Sequence, residues 1–74
     1  MNAHEAIEVI LSDKKSYPTS LNYAVGYCRA ALILPLDSHD LKVQCLYILN
    51  NIQKWRHPQA KEVRTVLKKT GGVK

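Results

Sequence analysis

The sequence predicts an all-α fold, a compact bundle of three main helices plus one shorter, basic C-terminal helix. Apolar residues recur at intervals of three and four in four segments, and Ser, Pro, Asp or Gly interrupts the pattern between them. No segment shows the alternation of apolar and polar residues that is typical of strands. A chain of 74 residues buries only about 60% of its unfolded surface. We therefore expect a single helical domain over residues 1–70 and a flexible basic tail over residues 71–74.

The first two predicted helices are separated by the stretch KSYPTS. The first helix ends near Lys14, and its apolar residues share one face. We expect Thr19 or Ser20 to cap a second helix over residues 21–34, which ends at Pro35. The second helix carries apolar residues on two sides, which is typical of a helix that packs against two neighbours.

The third and fourth predicted helices follow the loop PLDSHD and the turn RHP. Asp37 and Ser38 are the candidate caps of a third helix over residues 41–55. Trp55 continues the apolar face of that helix, so we expect it to close the core. A fourth helix over residues 58–69 can begin with a proline, whose missing N–H has no partner in a first turn, and a Gly-Gly pair ends it.

The basic residues are concentrated in the second half of the chain. Residues 1–37 contain three Lys or Arg and four acidic residues, whereas residues 38–74 contain eight and two. The formal net charge of +5 therefore comes from the second half. It favours an anionic partner, either nucleic acid or an acidic protein.

Three cations at spacings of three and four residues line one face of the fourth predicted helix, where they can contact phosphates. We predict a small, non-enzymatic module that binds nucleic acid or has a regulatory role. Its candidate contacts are Lys54, Arg56, Lys61, Arg64 and Lys68. The turn WRHP before a basic helix also fits a helix-turn-helix, although LYILNNIQ lacks the small residue and glycine of that motif. The structural alternative is a solvated face that keeps the protein soluble.

The tyrosines have two interpretations, as core residues or as an interaction surface. The chain has no Phe, so we expect Tyr23, Tyr27 and Tyr47 to supply aromatic bulk to the core, with their hydroxyls reaching water. The alternative function is a protein-interaction module, which would be an adaptor, an inhibitor or a homodimer. It would use an apolar surface formed by Tyr23, Tyr27, Val43 and Tyr47.

The chain shows no recognisable catalytic or metal-binding motif. Its three histidines and two cysteines lack C-x-x-C and H-x-x-x-H spacing, and Cys28 and Cys45 lie on apolar faces. We therefore expect no enzyme activity, no metal or cofactor, and no small-molecule substrate. The chain has neither a positively charged leader nor an apolar run of about 20 residues. We expect a cytoplasmic protein that does not enter membranes and keeps its thiols reduced.

Overall fold

The structure is a computed structural model that describes residues 1–73, and it contains four α-helices and one short 3-10 helix. Helix α1 packs against α2 and α4, and α3 packs against the same two helices, so the four form a ring around one core. No strand occurs in residues 1–73, which confirms the predicted all-α fold. The helices are α1 (Ala3–Ser12), α2 (Ala24–Leu32), α3 (His39–Asn50) and α4 (Ala60–Thr70), with the 3-10 helix over Lys14–Ser16.

The predicted pattern of three main helices and one shorter helix roughly fits the structure, but the shortest helix is not the C-terminal one. Helices α1 to α4 contain 10, 9, 12 and 11 residues, so α2 is the shortest and α4 is not. The reason is that residues 17–23 form turns and residues 51–59 form an irregular connection with turns, both of which shorten the helices predicted around them.

Two helix starts are capped by side chains. Asn2 and Glu5 form a capping box at α1, in which each side chain accepts a hydrogen bond from the other residue's backbone N–H. Ser38 accepts from the N–H of Leu41 at 3.2 Å and caps α3, as the sequence predicts. The predicted caps of α2 are wrong: Thr19 donates instead to the Ser16 carbonyl, and α2 begins only at Ala24.

Helix α3 ends at Asn50, five residues before the predicted end. The Asn51 side chain donates to the Tyr47 carbonyl at 2.8 Å, in place of the backbone donor that would continue the helix. Nine residues, 51–59, then separate α3 from α4. This connection is too long for a helix-turn-helix, whose turn has about 3–4 residues, so that prediction is wrong.

Sixteen hydrophobic residues form the core, and the largest is Trp55. The structure confirms that Trp55 is fully buried, although it lies in the connection and not at the end of α3. Its indole Nε1 donates to Asp13 Oδ2 at 2.8 Å, and Ser16 donates to the same oxygen at 2.8 Å. The hydrogen bonds to Trp55 and Ser16 lower the pKa of Asp13, so this buried carboxylate stays ionised.

The C-terminal glycines end α4 through backbone geometry. Gly72 has a φ of 79°, a conformation that glycine adopts at little steric cost because it has no Cβ. The N–H groups of Gly72 and Val73 donate to the carbonyls of Lys69 and Lys68, which is a Schellman motif. Residues 71–73 of the predicted flexible tail are therefore hydrogen-bonded to α4, and Lys74 lies outside the described residues.

Candidate binding surface

Three tyrosines that were expected in the core lie at the surface. The side chain of Tyr23 is 75% exposed, that of Tyr47 is 48% exposed and that of Tyr27 is 38% exposed. The expectation of burial is therefore wrong for all three. Helix α2 buries only small residues, Ala24, Cys28 and Ala31, and interiors are close-packed, so this face of α2 leaves no volume for large rings.

Tyr27 and Tyr47 join the outer faces of α2 and α3. Their ring centroids lie 5.5 Å apart at an interplanar angle of 31°. Gln44 of α3 donates to the Tyr27 carbonyl at 3.2 Å and closes the same seam. Val43 is half-buried one helical turn before Tyr47. The structure therefore places Val43, Tyr27 and Tyr47 along the outer α2–α3 seam.

Tyr23 lies at the start of α2 and lines a shallow cleft against the end of α3. The cleft has a volume of about 300 Å³, and Asn50, Asn51, Gln53 and Lys54 form its α3 side. This arrangement was not predicted, because the amides of NNIQ carry no charge or periodicity that signals a surface. Tyr23 and Lys54 were predicted as members of two different surfaces, and the fold brings them to one cleft.

The predicted basic contacts divide into two kinds. The side chains of Lys54, Arg56, Lys61 and Lys68 are exposed. Arg64 is half-buried, and its Nη2 donates to the carbonyls of Ile52 at 2.8 Å and Trp55 at 2.7 Å. Arg64 therefore holds the α3–α4 connection against α4 instead of presenting a free guanidinium.

A groove between α3 and α4 continues this surface on the other side of α3. It has a volume of about 620 Å³, with Leu46 and Leu49 on one wall and Arg64 and Lys68 on the other. Asn50 and Gln53 line both this groove and the Tyr23 cleft. Tyr23 and the exposed lysines Lys54 and Lys68 are therefore parts of one continuous surface, whereas Tyr27 and Tyr47 lie along the α2–α3 seam.

The two cysteines are buried, and two of the histidines contact other residues of the fold. Burial raises the pKa of Cys28 to about 12 and that of Cys45 to about 11, so neither thiol ionises near neutral pH. The His57 ring stacks on the buried Trp55 at 5.2 Å, and His4 Nε2 lies 2.8 Å from the Leu34 carbonyl oxygen. Residues 1–73 contain no group of three or more metal-ligating side chains.

Comparisons with known protein families, curated proteins and solved structures give no match for this chain. Within residues 1–73, every helix falls short of the length and apolar character needed to cross a bilayer.

Proposed function

We propose that the protein is a small, non-enzymatic module that binds single-stranded nucleic acid. The observation that carries this proposal is a continuous surface that combines the exposed ring of Tyr23 with the exposed lysines Lys54 and Lys68. Lysines bind the phosphate backbone electrostatically. Aromatic rings stack on unpaired bases, and each stacked base contributes about 1–3 kcal/mol without demanding a particular sequence.

The geometry of α3 and α4 favours a single strand over a duplex. A helix-turn-helix presents its second helix to the major groove after a short turn, whereas nine residues connect α3 and α4 here. The central cation of the basic row, Arg64, is bonded to backbone carbonyls. The faces of the bases inside a duplex are stacked on one another and out of reach of tyrosine rings, which stack on bases that are already unpaired.

The basic residues take two roles in this proposal. Lys54, Arg56, Lys61 and Lys68 contact phosphates, because their charged groups are exposed to solvent. Arg64 positions the connection from which Lys54 and Arg56 project, since it bonds to the carbonyls of Ile52 and Trp55 within that connection. Its removal therefore affects binding through the shape of the surface.

Fluorescence anisotropy tests the proposal directly. A labelled single-stranded DNA, a single-stranded RNA and a duplex are titrated with the protein at low and at moderate salt. The surface variant combines Lys54→Glu, Lys61→Glu and Lys68→Glu. Its matched control combines Lys14→Glu, Arg29→Glu and Lys69→Glu, which reverses three exposed cations elsewhere and changes the net charge equally.

We expect the single strands to bind more tightly than the duplex, and the surface variant to lose at least about tenfold more affinity than the control. The dependence of log affinity on log salt should also become shallower by about 0.7 for each phosphate that the variant no longer neutralises. Equal losses in the two variants would reduce the effect to net charge. Absence of binding at low salt would overturn the proposal.

A second candidate function is a protein interface through Tyr23, Tyr27, Val43 and Tyr47, whose partner is an acidic protein or a second copy of this chain. The contact between the exposed rings of Tyr27 and Tyr47 favours it, because rigid tyrosines are common at the centre of protein interfaces. Sedimentation equilibrium distinguishes the homodimer, since a dimer has twice the mass of 8.4 kDa and Tyr47→Glu should return it to a monomer.

A further inference from the structure

The cleft at the start of α2 has the chemistry of a site for a single planar, polar ligand. Tyr23 lines one side with Thr19 and Ser20, and the other side is formed by Asn50, the last residue of α3, and by Asn51, Gln53 and Lys54 of the following connection. Its volume of about 300 Å³ is at the lower limit for ligand pockets, which range over about 300–1,000 Å³. The cleft therefore suits one ring system with an attached anion and is too small for a peptide helix.

We propose that this cleft binds one unpaired nucleobase of the bound strand, with its phosphate on Lys54. The inference rests on the proposed binding of single-stranded nucleic acid and adds the position at which a base is recognised. The ring of Tyr23 supplies the stacking surface, and the carboxamides of Asn50 and Gln53 meet the edge of the base.

The availability of the Tyr23 ring supports this assignment. Tyr27 and Tyr47 already pack on each other with centroids 5.5 Å apart, whereas Tyr23 is 75% exposed and is the most exposed of the three. An incoming base can therefore stack on Tyr23 without displacing another aromatic ring. Stacking on such a ring is tolerant of base identity, because every base has a π face.

The amides on the α3 side supply the polar contacts. A carboxamide carries both a hydrogen-bond donor and an acceptor, so it can pair with the edge of a base in a bidentate manner. Asn50, the last residue of α3, and Gln53, in the connection that follows, are both exposed. The side-chain nitrogen of Asn51 donates to the Tyr47 carbonyl at 2.8 Å, which leaves its oxygen as the available acceptor. The cleft can therefore both donate to and accept from a base edge.

Lys54 lies beside the amides and binds the phosphate attached to the base. It is the cation of the cleft, and the adjacent groove leads from Asn50 and Gln53 toward Lys68. A strand whose base occupies the cleft can therefore continue with its phosphates along α3 toward α4. This path joins the base site to the basic surface described above.

The test compares two labelled strands with equal numbers of phosphates, one carrying bases and one built entirely of abasic sugar phosphates. We expect the intact protein to bind the base-carrying strand more tightly. Tyr23→Ala should weaken binding of that strand by about 5-fold to 150-fold, the range for loss of one stacked base, and leave the abasic strand unaffected. Tyr23→Phe should retain the affinity, because the ring is preserved.

Ile33→Ala is the matched control, since Ile33 is an exposed apolar residue at the opposite end of α2; it should change neither affinity. Four labelled strands, each carrying a single kind of base, should differ in their affinity for the intact protein, and the double change of Asn50→Ala and Gln53→Ala should reduce those differences. A nucleoside 5′-monophosphate should also shift the side-chain amide NMR signals of Asn50 and Gln53.

The three modes of failure are distinguishable. Equal affinity of the intact protein for the base-carrying and abasic strands would overturn the base site and leave the phosphate-binding function intact. Loss of both affinities in Tyr23→Ala would show that Tyr23 acts on the surface as a whole, which also overturns the base site. Absence of binding to both strands would overturn the proposed function itself.

Discussion

The aromatic residues of this molecule divide into an inner group that packs in or against the core and an outer group at the surface. Trp55 is fully buried and donates to Asp13, and Tyr17 is half-buried and donates through its hydroxyl to the Leu11 carbonyl. Tyr23, Tyr27 and Tyr47 are at the surface. The inner residues lie in the connections between helices, where each donates to an oxygen of another segment, whereas the outer ones lie at the start of α2 or on the outer faces of α2 and α3. Aromatic residues thus enter this core only where their polar atoms are satisfied.

The inner and outer groups have different roles in the molecule. The inner group closes the bundle across the α1–α2 and α3–α4 connections, because Asp13 and Ser16 precede α2 and Trp55 precedes α4. The outer group adds to a surface that already carries exposed lysines. Variants of the two groups should therefore differ in what they change: the inner group should affect folding stability, and the outer group should affect binding.

The largest expected effect is that of Trp55→Ala. Removal of this side chain leaves a cavity and deprives Asp13 of a donor, so the free energy of unfolding should fall by about 3–5 kcal/mol. Tyr23→Ala is the comparison, and it should remain within about 0.5 kcal/mol of the parent. Urea unfolding followed by far-UV circular dichroism measures both, and similar losses would contradict the division.

Arg64→Met should have the second largest effect. It removes the donor to the carbonyls of Ile52 and Trp55 while keeping much of the apolar stem, at a cost of about 1–3 kcal/mol. Lys68→Met is the matched control on the same helix, because it also removes one charge but from an exposed side chain. If the two variants are equally stable, Arg64 does not hold the connection.

Acidification should reduce the contribution of the inner group to folding stability. The pKa of Asp13 is below its ordinary value of 3.8 in the folded protein, mainly because Trp55 and Ser16 donate to the carboxylate. The ionised form therefore stabilises the fold above that ordinary value, and the contribution is lost as the pH falls through the lower folded pKa. Urea titrations between neutral pH and about pH 2 should show a shallower acid loss in Asp13→Asn. A loss as steep as that of the parent would contradict this assignment.

The smallest expected effect concerns the contact between the rings of Tyr27 and Tyr47. A double-mutant cycle with Tyr27→Ala and Tyr47→Ala should give a coupling energy of about 0.5 kcal/mol, the lower end for aromatic pairs, because both rings remain exposed. A coupling of several kcal/mol would show that this pair stabilises the fold as the inner group does.

Much of the fold is predictable from local features of the chain. Apolar spacing locates all four helices, Ser38 caps α3, and a glycine in a left-handed conformation ends α4. The apolar spacing that continues to Trp55 also predicts its burial, although the residue lies in the connection beyond α3. The end of α3 was harder to predict because periodicity continues to Trp55, while the side chain of Asn51 satisfies a helix carbonyl and the chain turns away.

The candidate surface was predictable only in its charge. Lys61 and Lys68 are exposed as a basic row would require. Arg64 belongs to the same row in sequence but reaches carbonyls that precede it by 12 and 9 residues. Spacing along a helix does not report such contacts, because they depend on where the connection passes over α4.

By itself, the sequence determined the four amphipathic segments, the breaks between them and the concentration of positive charge in the second half. These features act over a few residues, through helix periodicity, capping and backbone geometry. The tertiary structure alone decided that one aromatic face of α2 remains outside and that Tyr23 and Lys54 line one cleft. The physical reason is that burial and proximity depend on how closely helices pack, and that distance is set by side chains far apart in the chain.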